Sequence, residues 1–117
     1  MLARLLSSAA LATLLIGSGP VWAAPFDGRW SVLLVTEGGD CEVYRIDVRV
    51  ANGRVSAGSD GPQVNGLVSA RGAVRLNATY GRDVASANGR VSGSSGRGRW
   101  SAPTRGCNGR WEAEKRG

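Results

Sequence analysis

The chain holds few groups able to make or break a bond. It contains no histidine, which removes histidine-centred acid–base catalysis, the Ser-His-Asp triad and histidine-ligated metals. Glu37, Asp40 and Glu42 fall close together. A carboxylate pair can hydrolyse a glycoside, and clustered oxygens can hold calcium, but the ligand spacing of a calcium loop is missing. A solvated hairpin end is the simpler expectation for these three. No glycine-rich phosphate loop runs into a helix. The residues point to a protein that binds rather than catalyses, with no cofactor and no metal.

Cys41 and Cys107 are the two cysteines. They are far apart in sequence and form no Cys-x-x-Cys motif, which argues against a redox-active pair. In an exported chain an isolated pair is expected to form one disulfide. It closes a 66-residue separation, worth about 4 kcal/mol on the chain-entropy account.

The aromatic residues carry the remaining chemistry. Gly-Arg-Trp occurs three times, as Gly28-Arg29-Trp30, Gly98-Arg99-Trp100 and Gly109-Arg110-Trp111. Alternate residues of a strand share a face. Each triplet therefore sends Gly and Trp to one side and Arg to the other, the Gly leaving bare backbone on which a ring can lie. Trp30, Trp100, Trp111, Tyr44 and Tyr80 are expected to face one interior among Gly, Ala and Val. They either fill that interior or leave room beside the rings for an apolar or planar ligand. Arg29, Arg99 and Arg110 are expected to form a basic stripe outside.

These residues need elements to position them. Met1 to Arg4 is a short positive region, Leu5 to Ile16 is apolar, and Val21-Trp22-Ala23 supplies a small residue for cleavage. Residues 1–23 are read as a secretory signal, too short for a membrane span. Residues 24–117 are read as one domain. The chain carries net charge +6, or +5 once Arg4 is lost, and every cation except Lys115 is arginine. A basic exported protein can lean on an anionic envelope component such as acidic polysaccharide or lipid, although the arginines are dispersed enough to serve solubility alone. Nucleic acid is not expected as a partner, and the compartment is expected to be periplasmic or extracellular.

Eighteen glycines in 117 residues disfavour long helices, and the apolar residues alternate. Phe26, Gly28, Trp30, Val32 and Leu34 share a face, as do Tyr44, Ile46, Val48 and Val50. Asn52-Gly53 is a strong hairpin signal, followed by a short return strand over Arg54 to Ala57 and a loop at Gly58 to Pro62. Val64, Gly66 and Val68 mark a fourth strand, and Val74, Leu76, Ala78 and Tyr80 a fifth. Ala85, Ala87, Gly89 and Val91 mark a sixth, reversed by Ser94-Ser95-Gly96. Gly98, Trp100 and Ala102 mark the seventh, and Gly109, Trp111 and Ala113 the eighth. The sixth strand carries an ambiguity. Ala51-Asn52-Gly53-Arg54-Val55-Ser56 recurs as Ala87-Asn88-Gly89-Arg90-Val91-Ser92, so the second copy reads either as a turn or, as favoured here, as continuous strand with Gly89 facing in.

Eight short strands joined by tight turns predict an all-β, antiparallel up-and-down meander closed into an eight-stranded barrel, which removes unpaired edges. A β-sandwich is the alternative. Cys41 and Cys107 both lie on odd-to-even connections, which share one end of such a meander. A bond between them would tie the barrel at its seam. The outward residues are polar, the reverse of an outer-membrane barrel. Outward Leu33 and Val35 are a candidate oligomer contact.

Gly28-Arg29-Trp30 followed by a meander resembles the Gly-x-Trp opening of lipocalin- and avidin-type ligand-binding barrels. In lipocalins a late Arg covers that Trp, and Arg110 or Arg116 matches it by position. The chain also resembles bacterial periplasmic metalloprotease inhibitors in its small disulfide-bearing barrel, but Ala24-Pro25 is short for their inhibitory trunk. More broadly, Phe26-Asp27-Gly28-x-Trp30, Gly39-Asp40-Cys41 and Cys107-x-Gly109-x-Trp111 resemble small exported proteins of Gram-negative bacteria. The resemblance implies a binding module for a small apolar ligand or an anionic envelope component. A protein-interaction or inhibitor role through loops or an exposed strand face is the alternative.

Overall fold

A computed structural model describes residues 25–117. The signal segment and its cleavage after Ala23 lie outside the described residues. The strands are β1 (Gly28–Gly38), β2 (Tyr44–Ala51), β3 (Arg54–Ala57), β4 (Gln63–Val68), β5 (Ala73–Tyr80), β6 (Asp83–Ser92), β7 (Ser95–Ala102) and β8 (Cys107–Lys115), with one 3-10 turn at Pro103–Arg105. Each pairs antiparallel with the next, and β8 returns to β1 to close an eight-stranded barrel. The sandwich alternative is therefore set aside.

The turns follow from local chemistry. Asn52 and Gly53 both take positive φ, 54° and 75°, as a type I′ hairpin requires. The β6–β7 reversal is made by Gly93-Ser94, with Ser92 opposite Ser95, rather than by the expected Ser94-Ser95-Gly96. The first turn position takes φ 62°, which Gly adopts without steric cost, so the turn settles on Gly93 and β7 gains Ser95 and Gly96. The repeated hexapeptide does adopt two structures. Its first copy is the β2–β3 hairpin, while its second runs unbroken through β6, where Gly89 faces Gly98.

Cys41 and Cys107 are disulfide-bonded, with Cα atoms 6.1 Å apart. The bond joins the β1–β2 loop to the first residue of β8, across the seam where β1 and β8 pair. The ends of the barrel differ. Toward the β2–β3, β4–β5 and β6–β7 turns, Trp30, Val50, Val55, Val74, Val91 and Ala113 are buried. Toward the disulfide end, Leu34, Ile46, Val64, Leu76 and Ala85 are only partly buried. One end is closed and the other is a mouth, shut only beside Ala102 and Cys107, which are buried.

Phe26 and Asp27 complete the closed end. The Phe26 ring lies against Gly72 of the β4–β5 turn. The Asp27 carboxylate accepts from the main-chain N–H groups of Asn52 at 2.7 Å and Gly53 at 3.2 Å. The segment ahead of β1 is thereby pinned across the barrel's base.

Candidate functional site

The three tryptophans form one wall, because β7, β8 and β1 are consecutive around the barrel. Trp30, Trp100 and Trp111 are 3–5% exposed, and every indole N–H is satisfied by the main chain. Trp30 Nε1 donates to the Phe26 carbonyl at 2.8 Å. Trp100 Nε1 donates to the carbonyls of Val35 at 3.2 Å and Arg110 at 3.1 Å. Trp111 Nε1 donates to the Asn88 carbonyl at 3.1 Å.

Glycine makes room for one of these rings, and the glycine of one triplet serves the ring of another. In register, Gly98 faces Trp111 and Trp100 faces Gly109. A Cβ on Gly98 would stand 2.7 Å from Trp111 Nε1, and one on Gly89 2.6 Å from the same ring. The Gly of the second triplet thus houses the indole of the third, while Gly109 closes against the Val35 carbonyl of β1. Gly28 likewise closes against the Gly117 carbonyl.

Beside this wall lies a cavity of about 90 Å³. Its walls include all three tryptophans with Leu34, Leu76 and Ala85. The small side chains Ala78, Ala85 and Ala87 keep the β5–β6 side open. Exposed apolar side chains stand near the mouth: Val43 in the β1–β2 loop, and Tyr80 and Val84 flanking the β5–β6 turn.

The two tyrosines do not join the tryptophans. Tyr80 is 65% exposed. Its alternation points inward, but it is the last residue of β5, past the point where the barrel can cover it. Tyr44, opposite Leu34 at the start of β2, is half-buried and outside the cavity wall.

The arginine stripe forms only in part. Arg99 and Arg110 stand directly opposite each other, and Glu37 bridges them at 2.9 and 3.3 Å. The Arg99 hydrogen bond, supported by Arg110, holds the Glu37 carboxyl below its usual range. Glu112 also meets Arg110, at 3.5 Å. Arg29 stands apart at the closed end, opposite Arg49, because β1 begins where β8 ends. Arg116 pairs with Glu114 at 3.3 Å. Leu33 and Val35 are half-buried between Arg45, Glu112 and Arg110, which takes them out of the exposed apolar surface.

Glu37 turns to the arginines, and among the described residues no group of three potential metal ligands assembles. Among the same residues no helix is long and apolar enough to cross a membrane. No protein family, curated relative or solved structure matches the chain.

Proposed function

We propose that the protein is a non-enzymatic binding module that takes a narrow apolar group into the barrel through the mouth. The apolar cavity beside the tryptophan wall carries this reading. Its three indole N–H groups are already committed to main-chain carbonyls, so they cannot orient a polar ligand. Recognition then rests on shape and apolarity. At about 90 Å³ the space is smaller than the roughly 150 Å³ that admits benzene. An unbranched alkyl segment fits better than a planar ring, with the rest of the ligand leaving past Val43, Tyr80 and Val84. The Gly-x-Trp opening, similar to that of lipocalins and avidins, supports the same reading. The disulfide suits an oxidising compartment, and we place the protein in the periplasm or outside the cell.

Titration with straight-chain alcohols of increasing length, read by tryptophan fluorescence, tests the proposal. A saturable change that Ala85→Phe abolishes is the expected result. Native mass spectrometry of protein recovered from its natural source should then show an alkyl-bearing molecule. A response that never saturates, or one indifferent to Ala85→Phe in a folded variant, overturns the reading.

A further inference from the structure

The outer face of β5 to β8 carries a second feature, independent of the cavity. A groove of about 990 Å³ crosses these four strands, with Arg75, Arg90, Arg97, Arg99 and Arg110 along it and Glu112 and Glu114 on its β8 side. Gly89, Gly96 and Gly98 lie against Trp111 on the inner side, so β6 and β7 pass directly over the indole with no side chain between.

The register sets these cations against one another. Arg90 stands directly opposite Arg97, as Arg99 does opposite Arg110. Like charges at directly opposed positions destabilise a sheet. Glu37 relieves the second pair. Nothing relieves the first: among the described residues, Arg75, Arg90 and Arg97 have no carboxylate within 4.0 Å. Glu112 is the register partner of Arg97 but turns to Arg110. Arg90 is held in place by donating to the Arg71 carbonyl at 3.3 Å.

We infer that this groove binds an extended acidic polysaccharide, with Arg90 and Arg97 as its central contacts. Guanidinium groups pair bidentately with carboxylate or sulfate. Strand spacing sets the main chains of opposed arginines about 5 Å apart across the sheet, and a row of such side chains suits anionic groups recurring along a polymer. Asn88 and Ser95, also in the groove, offer an amide and a hydroxyl to sugar oxygens. A flat membrane surface does not follow a concave face. Single-stranded nucleic acid is usually held by aromatic stacking, and the one aromatic residue at this groove, Trp111, is buried on the inner side.

The test compares two double variants of the disulfide-bonded protein with the same charge change. Arg90→Gln with Arg97→Gln alters the groove, and Arg45→Gln with Arg49→Gln alters the outer face of β2. Binding to heparin and to polygalacturonate is measured at fixed salt, with double-stranded DNA and anionic vesicles as the other probes. The groove variant should lose about tenfold or more in affinity for both polysaccharides, and the β2 variant much less. Its melting temperature should be unchanged or higher, since a like-charge pair has been removed, which separates lost binding from lost folding. Equal losses in both variants would reduce the effect to net charge and overturn the inference. So would DNA or vesicle binding that is tighter than polysaccharide binding and equally dependent on Arg90 and Arg97.

Discussion

Trp111 reaches across β7 at Gly98 to donate its indole N–H to the Asn88 carbonyl of β6, at 3.1 Å. One side chain therefore ties three strands, and it does so only because the position between them has no Cβ. The same bare backbone gives the ring its seat inside the barrel, beneath the outer face that carries the arginine groove.

Gly98→Ala should accordingly be costly. Its Cβ would press on Trp111 Nε1 and on the Gly89 Cα, both at 2.7 Å. Overpacking of this kind costs about 1–3 kcal/mol. Urea unfolding followed by tryptophan fluorescence measures it. Gly58→Ala is the matched control: nothing lies within 4 Å of its Cβ and its φ is not positive. It should be neutral or stabilising, by up to about 1 kcal/mol, through the unfolded chain.

Asp27→Ala should loosen the closed end. It removes the acceptor for the Asn52 and Gly53 N–H groups, with an expected loss of about 1–2 kcal/mol for partly exposed bonds to a charged group. Amide hydrogen exchange gives the sharper reading. Protection should fall at Asn52 and Gly53 while the β5–β6 ladder keeps its own.

Reduction of Cys41–Cys107 should lower stability by about 4 kcal/mol, as expected for a crosslink between residues 66 apart. Since β1 and β8 still pair along the seam, the reduced protein should remain a barrel. Denaturant midpoints with and without reductant, alongside far-ultraviolet circular dichroism, check both statements.

Much of this architecture is legible in the sequence because it rests on period-two alternation and on turns with strict φ demands. Asn52-Gly53 and the β3 limits are of that kind. What sequence cannot reach is register. Alternation already favours a hairpin at Ala51–Ser56 and a strand at Ala87–Ser92 for the same six residues, but that Gly98 and Trp111 lie against the second copy is set by other strands. Register also decides that Gly98 houses Trp111 rather than its own Trp100. It sets Arg90 against Arg97 while sending Arg29 to the far end. Tyr80 shows a different shortfall, since alternation gives a side chain's direction but not whether the barrel still extends over it.

Glu37 gives the fold a pH dependence with a definite sign. Its carboxyl lies below its ordinary 4.5 chiefly because Arg99 donates to it, with the Arg110 hydrogen bond and the two charges adding to the effect and partial loss of solvent opposing it. The folded state thus holds this proton less tightly than the unfolded chain. Its stabilisation is present in full above 4.5 and is lost as pH falls through the lowered folded value. Protonation also leaves Arg99 facing Arg110 with no charge between them. The melting temperature of the wild type should therefore fall further than that of Glu37→Gln between about pH 6 and about pH 3, with the variant already lower at about pH 6. Because these groups are exposed, added salt should shrink the difference. Parallel pH curves for the two proteins at low salt would mean that Glu37 does not couple the β1–β8 seam to the two arginines.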